Sequence, residues 1–120
     1  MALDTALLLD ALDGGGPWLR LYAFESPTVS LGRGERADTV LDRGRCDGAG
    51  VGQVRRPTGG RAVLHDDELT YCVALGPHAV AALGGAEGVT RTMGELLAAA
   101  LVRLGVAAET IRTTPPPPSA

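Results

Sequence analysis

The stretch Val54-Arg55-Arg56-Pro57-Thr58-Gly59-Gly60-Arg61-Ala62-Val63-Leu64-His65 decides how this chain is read. A strand delivers two arginines to a turn. Pro57 fixes the local backbone, and Gly59-Gly60 lets it bend tightly and expose successive N–H groups. Such amides make an anion-binding concavity. Arg61 and one of the preceding arginines add charge and bidentate hydrogen bonding. His65 and Asp66 close the segment with titratable groups. The ensemble suits a carboxylate, a phosphate or a mixed acyl-phosphate. A lone Gly-Gly pair reads more simply as a hairpin turn with solvated arginines, but the twelve residues together carry more than the pair.

Outward from this loop the chain reads as helix, several short strands, helix. Residues 2–12 predict a helix, with Leu3, Leu7, Leu8 and Leu12 at helical spacing and Asp4 at the favourable end of the dipole. Gly14 to Pro17 stops it. Strands are predicted over 18–24, with Arg20 and Tyr22 on one face, and over 28–31, 51–55, 62–64 and 69–75. Residues 35–45 predict a short helix with Val40 and Leu41 inward. Asp66-Asp67 is a turn, and Pro77-His78 a loop. Residues 89–104 carry an apolar stripe of Met93, Leu96, Leu97, Ala100, Leu101 and Leu104, read as core, with Gly105 as C-cap. Residues 107–120 read as a possible edge strand followed by a proline run at 115–118. This order predicts an α+β fold, a mixed and mostly antiparallel sheet with packed helices.

The 120 residues hold 14 acidic and 11 basic side chains, a net charge of −3. That balance excludes no single partner, but it offers no basic surface for nucleic acid or an anionic membrane. Every basic residue is Arg. The absence of Lys excludes a Walker P-loop or a Schiff-base lysine supplied by this chain. Aromatics are 3% of the residues, so the core must be built from Leu, Val and Ala. Cys46 and Cys72 are too few for a disulfide scaffold. The start lacks a basic signal-peptide region, and no stretch reaches membrane-spanning length. The expectation is a cytoplasmic protein.

The central string resembles the signature of the lipoate-protein ligase and octanoyltransferase family, which shares its fold with biotin protein ligases. Met1-Ala2-Leu3-Asp4 with Ala6-Leu7-Leu8 resembles the family's first helix. Pro17 to Tyr22, then Pro27-Thr28-Val29-Ser30-Leu31-Gly32-Arg33, resembles its next two strands. Asp66 to Tyr71 resembles the strand after the loop. The resemblance runs in the family's order from residue 1 to about 75, and the helix at 89–104 fits the element that follows.

The resemblance implies that Arg56, Thr58, Gly59, Gly60, Arg61 and Ala62 line an acyl-group pocket, with His65 near the same site. It implies attachment of lipoyl or octanoyl groups to a lysine of a lipoyl carrier domain. A ligase would use ATP and Mg²⁺ to make an acyl-adenylate. An octanoyltransferase would need neither and would take the acyl group from an acyl carrier protein, in some members through a cysteine thioester. Arg61 after the two glycines favours the transferase branch. The family also carries a lysine and, in that branch, a cysteine downstream of the part matched here. This chain has no Lys, so it reads as the N-terminal half, residues 1–112, of such a domain, with 113–120 as a proline-rich tail. Losing one oxyanion-stabilising contact typically costs roughly 3–4 kcal/mol, so no catalytic residue is assigned and the enzymatic status of the chain alone stays open. A non-catalytic truncated remnant and an acyl-binding subunit of a split ligase, completed by a C-terminal partner, are the alternatives.

The other candidates read as structural. Cys72 alternates with Thr70 and Ala74 on a sheet face. Cys46 follows two nearby arginines beside a turn. Gly32-Arg33 ends a strand. His65 and His78 make no metal-ligand spacing, and Asp66-Asp67-Glu68 reads as a solvated acidic turn. No metal site is predicted.

Overall fold

A computed structural model of the chain describes residues 1–111, in one compact unit from Met1 to Gly76 and a second that starts at Pro77. In the first unit α1 (Ala2–Leu12) precedes β1 (Trp18–Tyr22) and β2 (Thr28–Leu31). Two short helices follow, α2 (Ala37–Val40) and α3 (Arg43–Gly48), then β3 (Gly52–Arg55), β4 (Val63–His65) and β5 (Thr70–Ala74). The second unit holds α4 (Pro77–Ala82) and α5 (Gly85–Arg103). The class is the expected α+β. The proline run and the predicted domain end at 112 lie outside the described residues, and 107–111 form no strand.

The strands make two small sheets. β1 and β5 pair antiparallel, Leu19 opposite Val73 and Leu21 opposite Tyr71. β2 lies between β3, parallel to it, and β4, antiparallel to it. All four residues of β2 are buried. A central strand covered on both faces is buried continuously rather than alternately. Its polar members must therefore find partners: Thr28 Oγ1 donates to Ser26 O at 2.9 Å, and Ser30 joins the network described below.

α1 lies against β5, and its inward residues are not the leucine stripe read from spacing. Asp4 and Ala11 are buried, Leu7 and Leu8 half-buried, and Leu3 and Leu12 exposed. The helix is turned so that Asp4 meets Arg20 and Tyr22 on β1. Asp4 is ion-paired to Arg20 Nη1, Tyr22 Oη donates to Asp4 Oδ2 at 3.3 Å, and the Arg20 guanidinium stands 3.8 Å over the Tyr22 ring. The shared face predicted for Arg20 and Tyr22 is thus found. A buried acid requires such partners, and they override the apolar period.

The helix predicted over 35–45 is divided. Leu41 is extended, and the Asp42 side chain accepts the Arg45 N–H at 3.1 Å as the N-cap of a new helix. Val40, expected inward, is exposed. His78 lies on a helix rather than in a loop, because Pro77 opens α4 at the position where its missing N–H is no loss. α5 starts earlier than predicted and ends at Arg103, with Leu104 as its C-cap and Gly105 at φ +82° past it. Its apolar stripe is not core among the described residues: Leu96, Leu101 and Leu104 are exposed. Six-residue α4, roughly 9 Å long, is too short to cover a helix of roughly 28 Å. Within this unit Glu87, Arg91, Leu97, Leu101 and Ile111 help line a cleft of about 790 Å³. No described helix is long and apolar enough to cross a membrane.

Candidate functional site

The Gly-rich loop joins β3 to β4, and Arg56 stands at its base. Nη1 donates to Ser30 O at 2.9 Å and to Ser30 Oγ at 3.0 Å. Nη2 donates to Gly59 O at 2.9 Å and Arg61 O at 2.7 Å, and Nε to Gly59 O at 3.2 Å. A guanidinium has five N–H donors, and all are engaged within the protein. Arg55 likewise turns back, Nη1 donating to Gly32 O at 2.6 Å. Of the three arginines in the stretch, only Arg61 is exposed with no side-chain hydrogen bond among the described residues.

This staple sets the direction of the loop amides. In a trans peptide the C=O and the following N–H point opposite ways. Gly59 O and Arg61 O turn toward Arg56, so the N–H groups of Gly60 and Ala62 point away from it. Thr58 O accepts the Arg33 N–H at 2.8 Å, which turns the Gly59 N–H outward too. The amides of Gly59 and Gly60 have no backbone partner among the described residues, and Thr58, Gly59 and Gly60 are exposed. Gly60 takes φ +93°, a region open to glycine. Gly32 is equally constrained, since a Cβ there would lie 2.0 Å from Gly60 O.

Behind the loop, His65 is buried on β4. Its Nε2 lies 2.7 Å from Ser30 Oγ, its Nδ1 is bonded to Glu68 Oε1, and Phe24 stacks on its ring at 4.4 Å. Thr70 Oγ1 donates to the same carboxylate at 2.7 Å. These bonds, that from His65 first, hold the Glu68 carboxyl below the usual glutamate range. The acidic turn is therefore not merely solvated: Glu68 reaches back to β4. Asp67, at φ +46°, makes the bend.

The structure thus brings Arg56, Gly59, Gly60 and Arg61 together, and links His65 to them through Ser30. Thr58 contributes its carbonyl to the brace, and Ala62 is half-buried at the loop's exit. Ser30 was not picked out from sequence, and Gly32 and Glu68 were read only as a strand end and as part of a solvated acidic turn. The available signals were a serine between Val29 and Leu31, a glutamate three positions after His65 across a turn, and a glycine following β2. Cys46 and Cys72 are both free and half-buried. Burial, and next the charge of Asp4, pushes the Cys72 thiol up, unlike an activated nucleophile.

The chain matches the lipoyl protein ligase A/B catalytic domain over residues 1–114. It is 42% identical over 110 residues to the octanoyltransferase LipM of Moorella thermoacetica, covering 91% of this chain and 40% of that protein. It is 51% identical over 74 residues to the octanoyltransferase LipM of Carboxydothermus hydrogenoformans, 61% of this chain and 28% of that one. A candidate lipoate protein ligase from T. acidophilum superposes with a TM-score of 0.72 at 28% identity, over 93% of this chain and 45% of its own. The chain spans less than half the length of each of these proteins. With a match that covers most of its residues, this chain belongs to the lipoyl protein ligase A/B catalytic domain family.

Proposed function

We propose that this chain furnishes the acyl-binding part of a domain that transfers octanoyl or lipoyl groups to a lysine of a lipoyl carrier domain. The observation that carries the reading is the stapled loop. Arg56 holds the carbonyls of Gly59 and Arg61 inward, which leaves outward amides and the Arg61 guanidinium to meet the acid or carbonyl end of an acyl group. Amides and a cation held in place suit an oxyanion because they need no rearrangement when charge develops. In this reading Arg61, Gly59 and Gly60 contact the acyl group, Thr58 and Ala62 flank it, and Arg56 and His65 shape the seat. The lysine of the family pattern would come from polypeptide other than these 120 residues, which contain none.

The LipM names of the relatives favour the transferase branch, with an acyl carrier protein as octanoyl donor and no nucleotide. The likeness to a candidate lipoate ligase supports a second reading, in which ATP and Mg²⁺ activate the acid. Among the described residues no three His, Cys, Asp or Glu side chains gather to hold a cation, and Glu68 is turned to His65.

Calorimetry with octanoate and with lipoate tests the proposal. Binding of at least one acid is expected, and Arg61→Ala should weaken it roughly tenfold, the worth of one charge-assisted hydrogen bond. Absence of binding, both by the chain and by its complex with a C-terminal half carrying the lysine, would overturn it.

A further inference from the structure

We propose that Ser30 and Glu68 are positioning residues: with Arg56 they lock His65 as a neutral imidazole protonated on Nδ1, and so brace the Gly59-Gly60 loop. The hydrogen accounting leads there. The Arg56 guanidinium is a permanent donor, and it gives one Nη1 hydrogen to Ser30 Oγ. The hydroxyl's own hydrogen is then free for His65 Nε2, 2.7 Å away, which accepts it on its lone pair. Nδ1 faces Glu68 Oε1, and an ionised carboxylate only accepts. A ring proton therefore sits on Nδ1, and a second on Nε2 would leave the buried Ser30 hydroxyl with no acceptor for its own hydrogen. Every hydrogen in the chain points the same way, from Arg56 through Ser30 and His65 to Glu68, where Thr70 Oγ1 adds another donor.

Burial makes the arrangement exclusive. Ser30 is 1% exposed, so water does not replace a lost partner there. Phe24 lies over the imidazole, interplanar angle 24°. No buried side-chain polar atom among the described residues lacks a partner. The same guanidinium that donates to Ser30 from Nη1 holds Gly59 O and Arg61 O from Nη2. An error at Ser30 would thus be felt at the loop, with His65 and Glu68 as the remote anchor of the staple.

Long-range proton–nitrogen correlation spectra of the ¹⁵N-labelled chain test this without any ligand. The chain has two histidines, so His78→Gln assigns His65. The expected pattern at neutral pH is a neutral His65 with its proton on Nδ1. Glu68 is exposed, so its variants should fold: Glu68→Gln keeps an acceptor oxygen and the tautomer, whereas Glu68→Leu should populate the Nε2–H form. Ser30→Ala leaves Glu68 to hold the proton on Nδ1 but removes the donor to Nε2, so it should shift the Nε2 resonance and the amide signals of Gly59 and Gly60, with Ser30→Thr restoring both. A doubly protonated or Nε2–H imidazole in the unsubstituted chain would overturn the proposal, even if Ser30→Ala does not fold. So would an unchanged tautomer in Glu68→Leu. A roughly tenfold loss of octanoate affinity in Ser30→Ala is also expected; that arm rests on the acyl-binding reading. The expected tautomer in a chain that binds no acid would overturn that reading and leave the positioning role standing.

Discussion

Arg56 and Arg61 lie on one loop and have opposite tasks. The first has its donors turned into the protein, and the second has none engaged among the described residues. Arg56→Lys keeps the charge but cannot reproduce a fork that reaches Ser30, Gly59 and Arg61. Thermal unfolding should show a loss of roughly 2–3 kcal/mol, as for charge-assisted hydrogen bonds removed from a part-buried site. Arg61→Ala should leave the melting temperature unchanged. Gly32→Ala places a methyl against Gly60 O. It should destabilise by about 2 kcal/mol, the usual result of overpacking against unyielding backbone. Glu68 adds a pH dependence. Its carboxyl is held low in the folded chain by His65 and Thr70, so its contribution is present above the ordinary glutamate range and is lost as pH falls through the depressed value. The difference in melting temperature between the unsubstituted chain and Glu68→Gln should shrink on acidification. These arginines were legible as a cationic cluster, but which of them stays free was not. Sequence gives residue types, whereas the assignment of donors depends on which carbonyls the folded loop brings within reach.

At the scale of elements, the strands bounded by glycine and proline were readable, and so was α1. The strongest local signals decided them: Gly14 to Pro17 as a stop, alternation in β1 and β5, and Gly105 after α5. The two helices in place of one at 35–45 follow from Asp42, whose capping bond outweighs the continuity of the apolar pattern. Gly88 shows a contact that sequence conceals. A Cβ there would lie 1.7 Å from Leu83 O, so the α4–α5 turn folds tightly against the start of α5. Gly88→Ala should lower stability by about 2 kcal/mol in chemical denaturation, despite alanine's better helix propensity. β1 and β5 place Arg20 opposite Cys72, yet burial and Asp4 leave the Cys72 thiol raised. Its alkylation at neutral pH should be slower than that of an unstructured cysteine peptide and should accelerate only at alkaline pH.

At the scale of the molecule, the open side of the β1–β5 sheet carries Leu19 at 63% exposure, Leu21 at 58% and Tyr71 at 44%, with Leu69 beside them. Contiguous apolar surface of this kind promotes association. Light scattering should show the chain self-associating with concentration, and the pair Leu19→Lys and Leu21→Lys should suppress this without lowering the melting temperature. The sequence by itself determined the class of fold, the arginine-flanked loop that bends between β3 and β4, and the family, because turn chemistry, strand alternation and an ordered motif are local properties. Only the tertiary structure decided that Arg56 is a staple, that Ser30 and Glu68 stand behind His65, and that Asp4 rather than a leucine faces inward. Each of those depends on a polar group buried by distant chain, and burial obliges it to find a partner that proximity in sequence does not name.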